Sequence, residues 1–214
     1  MRSALILSVL LAVVPAAAVA QAEDDQGPGA RNTPEARLAI EAYGKCAAEK
    51  APEEANRLLT MDFTSSGYST GLRLLSQDVA RRCARGAVPI GSAMRSASVL
   101  FSGAMAEALL EAETTPLNVR LVRSVGAESP SYSPTDAVAQ CLARSLPDQV
   151  AMLFATVPAS EAEAAATAPL LQAVPACARA AGIEAQVELS VPAVRAMTAT
   201  AAYRLIASSG DANA

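Results

Sequence analysis

Apolar residues are spread along this chain in two distinct ways. Residues 4–14 form an apolar stretch, ALILSVLLAVV, whereas from position 33 onward apolar residues recur at three- and four-residue spacing with polar residues between them. The first pattern follows Met1 and Arg2 and ends in Pro15 and the small residues 16–20. A short charged start, an apolar stretch and the cleavage pattern Ala18-Val19-Ala20 make a secretory signal peptide over residues 1–20, cut after Ala20. An uncleaved anchor is the rival reading, but the run is short for a bilayer span and Pro15 interrupts it. No cysteine follows the run to accept a lipid. The mature chain is therefore expected to be soluble, with no membrane span, and periplasmic or secreted. Residues 21–32 are polar, contain Gly27-Pro28-Gly29, and read as a flexible leader.

The second pattern predicts helices throughout. Thr33 caps a helix with Pro34 at its first position, and Ala39, Tyr43, Cys46 and Ala47 share one face. A short helix starts at Pro52, with Glu53 and Glu54 in a first turn that favours negative charge, and buries Leu58 and Leu59. After a loop over residues 62–70, Leu72, Leu75, Val79 and Cys83 repeat at helical spacing until Gly86 ends the helix. A fourth helix spans residues 92–113, with Met94, Phe101, Met105, Ala108 and Leu109 inward. The second half repeats this order. A short helix opens at Pro147, and the capping box Ser160-Glu161-Ala162-Glu163 opens another, which Pro169 and Pro175 are expected to break or kink. A last helix covers residues 192–206, and a disordered tail is expected over residues 208–214. The segment between the halves, residues 114–133, has a linker's Pro, Gly and Ser content, and residues 117–122 are the one candidate strand.

The four cysteines turn this order into an architecture. Cys46 and Cys83 are 37 residues apart, and Cys141 and Cys177 are 36 apart. Cys46, Ala48, Pro52 and Leu58 fall on Cys141, Ala143, Pro147 and Leu153 with one shift, and Cys83-Ala84-Arg85 falls on Cys177-Ala178-Arg179 with a shift one shorter. This implies two diverged copies of one unit, residues 33–113 and 134–207. Four cysteines allow three pairings in an oxidising compartment, and the repeat selects Cys46 with Cys83 and Cys141 with Cys177. Closing loops of this length stabilises by about 4 kcal/mol each in the chain-entropy account. The expected fold class is all-α: two tandem disulfide-pinned helical units of three to four helices each, packed with pseudo-two-fold symmetry.

Composition then removes function classes. There is no histidine, which excludes a Ser-His-Asp triad, a Cys-His pair and a His-based metal centre, and the cysteines lack C-x-x-C spacing. A net charge of −4, one unit more negative once Arg2 is removed, argues against nucleic-acid or anionic-membrane partners. No cofactor is implied. Among the carboxylates, Glu107 and Glu111 lie one turn apart and would form an acid and base pair if they faced a cleft; the alternative is an exposed helix face. Arg81, Arg82 and Arg85 could hold an anion, but cations at a helix end also suit its dipole. The stretch Ser66-Gly67-Tyr68-Ser69-Thr70-Gly71 lacks the lysine of a phosphate loop. Met94, Phe101 and Met105 could line an apolar pocket, although such a stripe is more often core.

In the fourth helix, Ser102-Gly103-Ala104-Met105-Ala106-Glu107 corresponds to Arg195-Ala196-Met197-Thr198-Ala199-Thr200. With the cysteine pairs, these segments resemble a group of uncharacterised exported alphaproteobacterial proteins built as tandem two-cysteine helical repeats, each closed by a helix reading roughly R-G-x-x-A-E-A-L. The resemblance implies a fold and no activity. Ser102 stands where that pattern has arginine, and the second copy keeps Arg195 but has Thr200 in place of the acid. An arginine to glutamate contact within one unit is therefore not expected.

With no assembled chemistry, the leading expectation is a non-enzymatic periplasmic interaction or scaffold protein, whose partner is another periplasmic or envelope protein. A carrier enclosing an apolar small molecule is second, and a carboxylate-dependent cell-envelope hydrolase third.

Overall fold

A computed structural model describes residues 33–83, 98–184 and 187–210. The signal peptide, the leader, Arg85, Gly86, Met94, the start of the fourth helix and residues 211–214 lie outside the described residues. The described part is all-helical: α1 (Pro34–Lys50), α2 (Pro52–Leu59), α3 (Ser66–Cys83), α4 (Ser98–Glu111), α5 (Leu117–Arg123), α6 (Pro134–Ser145), α7 (Pro147–Phe154), α8 (Glu161–Ala180) and α9 (Val191–Ser208).

The helices begin where local chemistry says they should. Thr33 accepts the Ala36 N–H on its hydroxyl at 3.2 Å, and Ser133 accepts the Asp136 N–H at 3.1 Å, each ahead of a proline at the first helical position. α2 and α7 are both eight residues long and both open with proline followed by acid. The two disulfides are Cys46–Cys83, which joins α1 to α3, and Cys141–Cys177, which joins α6 to α8. Each unit is thus pinned by its own pair, as the repeat selects.

Four helices form the spine. α1 packs along α4, α4 along α9, and α9 along α6. α2 with α3, and α7 with α8, close the outer sides of the two units. One core runs through both, from Tyr43, Leu58 and Phe101 to Leu142, Leu153 and Leu205. Small residues allow the spine its close spacing. A Cβ on Gly103 would stand 2.5 Å from the Ala196 Cα, and one on Gly44 would collide with the Ala104 side chain. Gly103 and Ala196 occupy matching positions of the two units and touch each other, as residues on a pseudo-two-fold axis do.

Three expectations are corrected. Residues 117–122 are helical, not a strand. Leu117, Val119 and Leu121 alternate, but Arg120 and Leu121 are the residues buried, and Arg120 donates to the Leu110 carbonyl at 2.9 Å, closing the last turn of α4. The period that matters is helical, and the segment between the units is a packed connector. Pro169 and Pro175 do not break α8, which is assigned as helix throughout. Both prolines lie on its exposed face, where water can satisfy the carbonyls they leave free, while Glu163, Leu170, Val174 and Cys177 anchor the buried face. The final helix also runs to Ser208, two residues beyond its expected end.

Gly103 offers a test of the crossing. Helix propensity alone predicts that Gly103→Ala stabilises by about 1 kcal/mol. Contact with the Ala196 backbone makes the expected outcome a loss of about 1–3 kcal/mol, measured by urea unfolding of the oxidised protein.

Candidate functional site

The α4–α9 crossing brings together ionisable groups that are far apart in sequence. Glu107 faces α9 from α4 because it lies one turn beyond Gly103, and Arg195 faces α4 because it adjoins Ala196. Arg195 donates from Nε to Glu107 Oε2 at 2.9 Å and from Nη2 to Glu107 Oε1, a two-point contact between the units. Its other donors reach the Leu153 carbonyl at 3.2 Å and the carbonyl and hydroxyl of Thr156, both at 3.1 Å. The Leu153 carbonyl belongs to the last turn of α7, the negative pole of that helix, and Thr156 to the turn that follows. The guanidinium also lies 5.9 Å from the centre of the Phe154 ring.

Glu163 closes the network from α8. Its carboxylate accepts Arg37 of α1 at 2.6 Å and lies 3.5 Å from Arg195. The other oxygen takes the backbone N–H of Ala159 at 2.8 Å. Ala159 has a φ of 62°, a conformation that L-residues rarely hold, and this bond fixes it. The Ser160 hydroxyl accepts the Glu163 N–H at 3.1 Å. Glu163 is thus more than the capping residue of its sequence pattern: it ties a helix start in the second unit to α1 of the first.

Burial sets the electrostatics. Glu107 is 3% exposed, and desolvation pushes its carboxyl up to about 7, against the hydrogen bonds and charge of Arg195 that lower it and with Glu41 and Glu111 adding to the rise. Burial works against the charge of Arg195 too, but the hydrogen bonds and charge of Glu107 hold it above its ordinary value. Glu41, half-buried on α1, is also raised, chiefly by burial; the charge of Arg195 opposes the rise, Glu111 and Glu163 add to it, and Arg37 opposes it further.

Glu107 and Glu111 are not an acid and base pair. Glu107 is bound by Arg195, whereas Glu111 lies near the surface, 3.6 Å from Lys45. A small cleft opens over the network, lined by Arg37, Glu41, Glu107 and Arg195 with Leu100 and Pro192; its enclosed part has room for little more than a water molecule. Among the described residues no cluster of His, Cys, Asp and Glu could hold a metal ion. Arg81 and Arg82 sit in the last turn of α3, where Arg82 pairs with Asp78 at 2.7 Å, so the pair is explained by its helix. Phe101 and Met105 are core residues, Phe101 lying 5.4 Å from the Tyr43 ring, and neither lines the cleft. No family model, curated protein or solved structure matches this chain.

A second buried pair lies on the α6 side. Arg204 of α9 bonds Asp136 of α6, with the rings of Phe63 and Tyr132 at 5.4 and 5.8 Å from its guanidinium carbon. Sequence reasoning missed Arg37, Glu41, Asp136 and Arg204, because each looks like an ordinary charged helix residue until its partner is in place. Glu107 and Arg195 were singled out, but as halves of separate motifs.

Removing one partner of the Arg195–Glu107 pair strands a buried charge. Arg195→Met is expected to cost about 3–5 kcal/mol, and the double variant Arg195→Met with Glu107→Leu to recover much of that, as a double-mutant cycle in urea would show. Titration has a defined sign. The Glu107 carboxyl holds its proton more tightly folded than unfolded, so its contribution to stability is greatest below pH 4.5 and declines as pH rises to about 7. Glu107→Gln should flatten stability against pH across that window, compared by thermal unfolding with the unaltered protein.

Proposed function

We propose that this chain is a non-enzymatic interaction or scaffold protein of the periplasm or cell envelope. The observation that carries the reading is that the buried arginines of the α9 helix and the acid at the start of α8 are engaged with groups of the fold itself. Arg195 has Glu107, Thr156 and the end of α7; Glu163 has Arg37 and a backbone N–H; Arg204 has Asp136. Such pairing holds two units in one orientation and keeps a rigid outer surface available to a partner. The stripe weighed as an apolar pocket lies instead in a filled core at Phe101 and Met105, which favours interaction over carriage of an apolar molecule.

The address follows from three features together. The first residues have the form of a cleaved export signal, both cysteine pairs are joined, and among the described residues no helix is long and apolar enough to cross a membrane. In our reading the chain is cut after Ala20, and its two units descend from one by duplication and divergence. The matched helix starts, the parallel disulfides and the meeting of Gly103 with Ala196 support that descent.

Crosslinking in the periplasm followed by purification of the tagged chain and mass spectrometry tests the proposal. One reproducible protein partner is the expected result. Co-purified lipid without protein would replace this reading with the carrier.

A further inference from the structure

Where α4 ends, the chain turns through residues 112–116 into α5, and the end of α7 lies against that turn. Between them is a groove of about 230 Å³, open to solvent, whose apolar walls are Leu110, Pro116, Leu117, Ala151, Phe154 and Ala155. These walls are held in place. Arg120 donates to the Leu110 carbonyl at 2.9 Å, and the Asn118 amide donates to the Asp148 carboxylate at 2.8 Å, which ties the start of α5 to the start of α7. The ring of Phe154 has the Arg195 guanidinium 5.9 Å from its centre, so the groove adjoins the seam network. Residues of both units and of the connector meet there.

Around the groove, apolar surface stands next to acid. Met152, the chain neighbour of Ala151, is 63% exposed, and Val119, two residues beyond Leu117, is exposed as well. Flexible methionine is common where a surface takes up a partner's apolar side chains. The charged residues lining the groove are Glu111 and Glu113, both exposed. Lys45 lies 3.6 Å from Glu111 and Arg120 is buried, and neither lines the groove. The whole chain carries a net charge of −4. The rim and the net charge both favour a basic partner. Pockets that enclose whole small ligands run to about 300–1,000 Å³, so a groove of this size suits a single side chain.

We propose that this groove seats one large apolar side chain, a leucine, methionine or phenylalanine, from a segment of a partner protein in which lysine or arginine flanks it. The apolar side chain fills the space between Leu117 and Phe154, and its basic neighbours reach Glu111 and Glu113. Because the walls are already in place, little ordering of this chain opposes docking. A segment seated here bridges Leu110 of the first unit and Phe154 of the second, and so depends on the orientation that Arg195 and Glu107 fix. The inference deepens the interaction reading and rests on it for the source of the segment.

The test titrates the oxidised mature chain, followed by NMR, with the acetylated, amidated peptide Gly-Lys-Leu-Lys-Gly. A second peptide, Gly-Lys-Ser-Lys-Gly, removes the apolar anchor, and a third, Gly-Glu-Leu-Glu-Gly, reverses the charge. Saturable shifts at the end of α4, the start of α5 and the end of α7 are expected with the first peptide alone, and they should weaken as salt is raised. Ala155→Trp fills the groove from an exposed position and should abolish binding while the unfolding midpoint stays near its original value. Glu113→Lys should weaken binding about two- to fivefold. Absence of saturable shifts, equal binding of the serine or glutamate peptide, or binding that Ala155→Trp and Glu113→Lys leave intact overturns the proposal. A periplasmic partner crosslinked equally to the unaltered chain and to Ala155→Trp would overturn this groove and leave the interaction reading standing. Peptide binding that Ala155→Trp abolishes, with no partner captured in the periplasm, would uphold the groove and count against the interaction reading.

Discussion

A guanidinium taken out of water must find a counter-charge and acceptors for its five N–H groups, and Arg195 meets that demand only if four segments are placed together. Glu107 must come from α4, the carbonyls of Leu153 and Phe154 from the end of α7, Thr156 from the turn that follows, and Glu163 from the start of α8. Any rearrangement of the two units would leave a charge buried and unpaired, which costs more than the pair contributes when made. The network therefore acts through specificity. Apolar packing along α1, α4, α9 and α6 would tolerate small slides of one helix on another, whereas the bidentate contact admits one register. Gly103 and Ala196 permit the same register by letting the two backbones approach.

The same seam shows where two units of like helix order differ. On one side stand the acid and the arginine that bridge the units, one in each unit. At the matching positions on the other side stand Ser102 and Thr200, whose hydroxyls bond carbonyls of their own helices. There the buried charge lies instead at Asp136 and Arg204, covered by Phe63 and Tyr132. Each side thus keeps one buried arginine with one acid, by different residues.

Disulfides and ion pairs divide the work. Cys46–Cys83 and Cys141–Cys177 act within units, restricting the unfolded chain around helices short of aromatic residues. Arg195–Glu107 and Arg37–Glu163 act between units and depend on the folded arrangement. Reduction would thus be expected to loosen each unit, while loss of an ion pair would loosen their relation.

Much of this was legible in the order of residues. Helix starts at Thr33 and Pro34, the eight-residue helices at Pro52 and Pro147, and the pairing of cysteines follow from local rules and from a repeat, and local rules act within a few residues of chain. Residues 117–122 misled because so few residues cannot separate a period of two from one of 3.6 once Val, Leu and Arg alternate. Pro169 and Pro175 do not break α8, because their cost depends on which face of the helix is buried, a tertiary matter. The pair at the centre was beyond reach for a deeper reason. Glu107 and Arg195 were each visible as half of a broken motif, but nothing along a chain says that a half in one unit will meet the other half across a pseudo-two-fold axis. Sequence alone determined the helices and the staples, which depend on neighbours in the chain and on a recurring cysteine spacing. Only the tertiary structure decided which charges meet, because burial and partnership are properties of the space between helices.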